Sequence, residues 1–181
     1  MAVQVHMTAE QLSELTDDRY KKSELVKGEL ITMSPTGFEH GIVSARVAQI
    51  LNDFVRARGL GYICGAETGF ILQRNPDTVR APDVAFVRKE KVSSLPTSFA
   101  EFAPDLAVEI VSPADRSSDM EQKISEYLAA GTRLVWVVYP MTKTVYVYQP
   151  GRAVQRLSAS ETLSGEDVLP GFSITISEFF V

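Results

Sequence analysis

Two hydrophobic periods alternate along this chain, and each change of period marks an element. Thr8-Ala9-Glu10-Gln11 has the spacing of a capping box, which predicts a short helix through about Leu15. Ser23–Met33 places Leu25, Val26, Leu30 and Ile31 around Lys27-Gly28, which predicts a β-hairpin turning on the glycine. A two-residue loop pairs Glu24 with Ile31 and Val26 with Glu29, so both glutamates share one sheet face. Ser34-Pro35 then breaks the strand. Thr36 and Glu39 have capping-box spacing, and the helix they open runs to Arg58 with Gly59 as its stop. Its apolar residues, Ile42, Val47, Ile50, Leu51, Phe54 and Val55, recur at helical spacing.

Beyond this helix the period shortens. Tyr62–Cys64 and Gly69–Leu72 read as strands, and Asn75-Pro76-Asp77 as a turn. Val79–Val87 reads as one strand around Pro82-Asp83, followed by a looser segment over Arg88–Pro104. Asp105–Val111 is a strand, Ser118–Ala130 a helix stopped by Gly131, and Leu134–Tyr139 an apolar run of strand length. Such a run fits a central strand covered on both faces. Thr144–Tyr148 follows after a short turn, and the tail is β-rich, with Ser177 predicted to cap its last turn. The order predicts an α/β fold: a mixed central β-sheet flanked by helices, with an N-terminal helix and β-hairpin.

Composition narrows the function classes. The 181 residues are 45% hydrophobic and 23% charged, enough to build one domain over residues 1–181 and too apolar for a disordered chain. Leu134–Tyr139 is far shorter than the roughly 20 residues that span a bilayer, so no membrane partner is expected. Met1–Leu15 lacks a secretory pattern, and the lone Cys64 cannot form an internal disulfide or a thiolate zinc site. A cytoplasmic location is the expectation. The net charge of −5 disfavours a protein that coats nucleic acid, while leaving room for an enzyme that acts on it.

Glu109 stands out. It lies in Leu106-Ala107-Val108-Glu109-Ile110-Val111, where strand alternation puts it on one face with Ala107 and Val111. A carboxylate among buried neighbours must find a cation, take up a proton or reach water. It is therefore either half of a buried ion pair, a strand-end residue, or a metal ligand or catalytic acid. Asp83 opens a second apolar stretch, Val84–Val87. Adjacent strands lie about 4.8 Å apart, so two carboxylates at matching heights can hold one divalent ion. Asp105 lies about 13 Å along the strand from Glu109, too far for the same ion, and reads as a strand-start acid. Lys123 borders the apolar face formed by Met120, Ile124, Tyr127 and Leu128. Either its stem covers the core edge or its ammonium reaches the carboxylates.

Pro82-Asp83, Glu109-Ile110-Val111 and a following lysine resemble the PD-(D/E)xK, or restriction-endonuclease-like, superfamily. Within it the chain resembles the Uma-two family. The matching text includes Glu24–Leu30, Met33-Ser34-Pro35 with His40, Ala81–Val84 and Pro104–Pro113. It continues through Lys123, Tyr127, Gly131, Trp136 and Pro140 to Leu169-Pro170-Gly171. The superfamily pattern has a lysine two residues after the glutamate, where this chain has Val111. Members of the family resemble a variant with the lysine on the next helix, where Lys123 fits. The resemblance implies metal-dependent hydrolysis of DNA. Asp83, Glu109 and the backbone carbonyl of Ile110 would hold Mg²⁺ or Mn²⁺, and Lys123 would serve the reacting water or phosphate. It also brings out Glu24, as a further acid near the metal or an exposed hairpin residue. His40 is either a group near metal or phosphate or a helix-start histidine with an ordinary hydrogen bond.

Three alternatives frame this expectation. The fold could serve as a non-catalytic nucleic-acid- or protein-binding module. A serine-type hydrolase is disfavoured, because no Gly-x-Ser-x-Gly elbow is present and His6 lies in an N-terminus expected to fray. Nucleotide hydrolysis through a glycine-rich phosphate loop finds no motif. Cutting both strands of a duplex takes two sites or two events, so a homodimer is a natural expectation.

Overall fold

The computed structural model describes residues 6–15 and 23–180. The N-terminal helix α1 (Ala9–Ser13) forms with the expected capping box, in which the Thr8 hydroxyl accepts from the Gln11 N–H and the Gln11 side chain accepts from the Thr8 N–H. The segment before it is docked where fraying was expected, because the Met7 N–H donates to the Gly28 carbonyl. His6 lies over the hairpin turn at Gly28, where φ is +81° and a Cβ would collide with the imidazole. The hairpin pairs β1 (Ser23–Val26) with β2 (Glu29–Thr32) in the register read from the sequence, Glu24 opposite Ile31 and Val26 opposite Glu29.

Helix α2 (Phe38–Arg58) begins later than the sequence pattern proposes. Its N-cap is Gly37 with no side-chain cap, so the Thr36–Glu39 capping box does not form. Gly59 ends it in a left-handed conformation, as expected. The strands that follow are β3 (Gly61–Gly65), β4 (Phe70–Gln73), β5 (Thr78–Arg80) and β6 (Val84–Arg88). The single strand expected over Val79–Val87 is therefore two strands, separated by Ala81-Pro82-Asp83 and belonging to different sheets. Pro82 has no N–H to continue a ladder, and the chain uses this break to change sheets. Strand β7 (Leu106–Ile110), helix α3 (Ser117–Ala129), β8 (Leu134–Tyr139) and β9 (Thr144–Tyr148) follow close to their expected bounds. The tail adds β10 (Gln155–Leu157), β11 (Thr162–Ser164) and β12 (Ser173–Thr175). The last turn, Ile176–Phe179, is capped by Thr175 with Glu178, in place of the expected Ser177.

Among the described residues the strands form a six-stranded sheet ordered β10-β9-β8-β7-β6-β3, a four-stranded sheet ordered β2-β1-β5-β4, and the pair β11-β12. In the six-stranded sheet β7 and β8 are parallel and the other pairs antiparallel, which makes it mixed. The parallel pair requires a crossover, and α3 supplies it. One face carries Val84, Phe86, Leu106, Val108 and Ile110 against Val43, Val47, Leu51 and Val55 of α2. The other carries Ala107, Val135 and Val137 against Met120, Ile124 and Tyr127 of α3. Both faces of β7 are thus sealed, and all five of its residues are buried. Glu109 belongs by alternation to the α3 face.

Candidate active site

The pairing of β6 with β7 sets the geometry. Val84 lies opposite Val108 and Ala85 opposite Ala107, so Asp83, one residue before β6, arrives at the level of Glu109 and Ile110. Asp83 Oδ2 accepts a 2.8 Å hydrogen bond from the Ile110 N–H and lies 3.2 Å from His40 Nε2. His40 comes from the first turns of α2 and is itself buried. The hydrogen bond to Asp83 outweighs burial and holds the imidazole pKa above its ordinary value, with smaller contributions from Asp115 and the Ile110 backbone.

Glu109 is 4% exposed. Its Oε1 accepts from the Tyr127 hydroxyl at 2.7 Å, and its Oε2 lies 3.2 Å from Lys123 Nζ. Burial raises its pKa from 4.5 to about 7, against the pull of Lys123 and with additional push from Asp83 and Glu24. Lys123 also lies 3.3 Å from Glu24 Oε1. Burial alone would lower the lysine pKa, but Glu109 and Glu24 reverse that and hold the ammonium charged. Of the two readings of Lys123, the structure shows the one in which the ammonium reaches the carboxylates.

Glu24 is 1% exposed, not an exposed hairpin residue. Its Oε2 accepts from Arg80 Nη1 at 2.7 Å and its Oε1 from the Ala81 N–H at 3.0 Å. Arg80 in turn donates from Nε to Glu126 Oε2 at 2.6 Å. Asp105, buried at the far end of β7, is taken up by the Arg88 backbone and side chain and by Lys91, in keeping with a strand-start acid. His6 lies at the hairpin turn, and Cys64 is half-buried in β3 with its thiol pKa raised by burial.

His40, Asp83, Glu109, Ile110 and Lys123 line one cleft of about 530 Å³. Gly41, Ser44, Ala45 and Ala48 of α2 form one wall, and Asp115, Arg116 and Asp119 before and at the start of α3 form another. The cleft opens where α2 and α3 meet the sheet end, so residues from both faces reach it. Four of the five side chains singled out from the sequence line it directly, and Glu24 reaches it through Lys123. Sequence reasoning missed Arg80 and Glu126. The available signal was a charged residue inside the short apolar stretch Thr78–Ala81, whose partners lie far away in the chain.

Among the described residues no group of three or more His, Cys, Asp and Glu side chains has metal-holding geometry. Asp83 and Glu109 offer carboxylate oxygens at the sheet end of the cleft, and Glu67, Asp115 and Asp119 also line it.

A protein-family model described as "Uma2: Putative restriction endonuclease" matches residues 9–177. The chain belongs to the Uma2 family. No curated protein sequence matches this Uma2 member. A solved structure described as a putative nuclease belonging to DUF820, from Anabaena variabilis ATCC 29413, superposes with a TM-score of 0.83 at 18% identity, covering 96% of this chain and 97% of that one. At that identity the likeness speaks for the fold, and it agrees with the mixed sheet flanked by helices. The family match supports a nuclease-like function for this Uma2 protein. No helix among the described residues is long and apolar enough to cross a membrane.

Proposed function

We propose that this Uma2 protein is a divalent-metal-dependent endonuclease that hydrolyses phosphodiester bonds in DNA, with Asp83, Glu109 and Lys123 as its catalytic residues. The observation that carries this reading is the meeting of Asp83 and Glu109 in one cleft with the Lys123 ammonium on the Glu109 carboxylate.

The donor set fits the ion. Carboxylate and carbonyl oxygens are hard ligands suited to Mg²⁺ or Mn²⁺. Charge fits as well. Around the cleft, Glu24, Glu109 and Glu126 share Arg80 and Lys123, and Asp83 faces His40, so carboxylates outnumber the permanently charged cations. A divalent cation would be drawn to such a site. Asp83, Glu109 and the Ile110 carbonyl would hold it, and when bound it supplies Lewis acidity and a water of lowered pKa.

The chain's own residues do the rest. An ammonium has three N–H donors; on Lys123 one is donated to Glu109, and Glu24 lies within ion-pair distance. Lining the cleft, the ammonium would orient the attacking water or donate to a phosphate oxygen as charge develops there. Glu24, held by Arg80 and the Ala81 N–H, serves to hold the lysine and does not itself line the cleft. His40 holds Asp83 from the α2 side and, when protonated, adds positive charge where a phosphate would approach. Cutting both strands of a duplex needs two such sites or two events, so pairing of two copies belongs to the same proposal.

The test is nicking of supercoiled DNA by the purified chain with Mg²⁺, Mn²⁺ or EDTA, alongside calorimetric Mn²⁺ titration. Asp83→Asn and Glu109→Gln should each abolish cleavage and weaken Mn²⁺ binding while leaving a cooperative unfolding transition. A chain that binds DNA but shows neither Asp83-dependent Mn²⁺ binding nor cleavage would instead be a non-catalytic binding module.

A further inference from the structure

The Glu109 carboxylate has two neighbours of very different stiffness. Lys123 is a point charge on a four-carbon stem and is shared with Glu24, so it can follow the carboxylate through a range of rotations. Tyr127 cannot. Its ring is fully buried between α3 and the sheet, packed with Ala107, Ile124, Val135 and Val137. Packing fixes the ring, and the ring fixes the hydroxyl. That hydroxyl donates to Glu109 Oε1 at 2.7 Å. A phenylalanine would fill the same space, so the hydroxyl contributes one thing that packing does not, a donor aimed at one oxygen of one acid. Tyr127 does not line the cleft and reaches it only through Glu109.

We propose that Tyr127 is a positioning residue: it fixes the rotation of the Glu109 carboxylate by holding Oε1 against the core, which turns Oε2 to Lys123 and the cleft. This rests on the reading of Glu109 as a metal ligand given above. The sequence pattern shows Tyr127 as one more apolar residue on the buried face of α3. Its hydroxyl acquires a role only because β7 turns Glu109 to that face.

The test compares Tyr127→Phe, which removes the hydroxyl and keeps the ring, with Tyr127→Leu, which removes both, in the full chain. Three quantities are read: the Glu109 side-chain orientation in a crystal structure of each variant, the calorimetric Mn²⁺ affinity, and kcat and KM for nicking. For Tyr127→Phe we expect a modest drop in the unfolding midpoint, from loss of one buried hydrogen bond, and a Glu109 carboxylate turned away from Lys123. We expect Mn²⁺ affinity and kcat each to fall by about tenfold, the scale seen when a group supporting a metal ligand is removed. KM for DNA should hold, because Tyr127 touches no substrate. Tyr127→Leu should show the same site effects together with a large drop in midpoint, separating the hydrogen bond from the packing. An unchanged Glu109 orientation with unchanged Mn²⁺ affinity in Tyr127→Phe would overturn the proposal. If the native chain cleaves no DNA, the nuclease reading fails on its own, and the orientation of Glu109 in Tyr127→Phe still decides the role of Tyr127.

Discussion

Lys123 Nζ lies 3.2 Å from Glu109 Oε2 and 3.3 Å from Glu24 Oε1, so a single ammonium ties α3 to β7 and to the N-terminal hairpin. Both acids are buried, and removing their shared cation leaves two carboxylates short of a partner in a medium that penalises them. We expect Lys123→Met to destabilise the fold by about 3–5 kcal/mol in urea unfolding and to reduce cleavage at least about 100-fold. Adding Glu24→Gln to Lys123→Met should recover part of the stability and none of the activity. Full stability in Lys123→Met would show that the ion pair does not hold the site together.

Arg80 spans Glu24 and Glu126 with two different nitrogens, Nη1 and Nε. A lysine offers one ammonium in place of that fork and cannot satisfy both acids at once. Arg80→Lys should therefore cost about 1.5–3 kcal/mol, the scale of a hydrogen bond to a charged group, and lower kcat through the loosened Glu24–Lys123 contact. Equal stability of the Lys variant in denaturant titration would count against the fork.

Burial pushes the Glu109 carboxyl up to about 7 in the metal-free fold, from an ordinary value of 4.5. The native state therefore holds this proton more tightly than the unfolded state does, so the group favours folding below pH 4.5. That contribution is lost as the pH rises through about 7. Glu109→Gln has no proton to lose. Measured in EDTA, its stability relative to the native chain should improve steadily from pH 4.5 to about 7 and level off above. A pH-independent difference would contradict the buried, uncompensated carboxylate.

Asp77 behaves in the opposite sense. Burial pushes its pKa up, but N–H donors from Ala9 and Asn75 and the Arg74 guanidinium more than offset this and hold it below 3.8. The stability it contributes is present above 3.8 and is lost as the pH falls through the lower folded value. Because Asp77 anchors the first turn of α1, Asp77→Asn should remove this acid dependence and loosen α1 at neutral pH. Hydrogen exchange at the Ala9 amide reads both effects. Unchanged protection in the variant would show that α1 is held by its apolar contacts alone.

Much of this was legible along the chain because neighbouring residues decide it. Lys27-Gly28 sets the hairpin register, Gly59 stops α2, and the continuous apolar strands announce a sheet covered on both faces. Glu109 was visible as a charge in a buried strand, since alternation is a local property. Two local signals misled. Thr36 and Glu39 have capping-box spacing, but α2 is capped by Gly37 and starts at Phe38, and Pro82 divides what reads as one strand into two sheets.

By itself the sequence determined the elements, their amphipathic faces and the acids that cannot sit unpaired in an apolar setting, because periodicity and turn chemistry act within a few residues. Only the tertiary structure decided that Glu24 is sealed by Arg80, that His40 crosses from α2 to Asp83, and that Tyr127 and Lys123 share the Glu109 carboxylate. Those meetings depend on β7 lying beside β6, on α3 crossing over one face and on the hairpin docking near the Pro82 break. Sheet order and packing are settled by burial summed over the whole chain, and no local window records that sum.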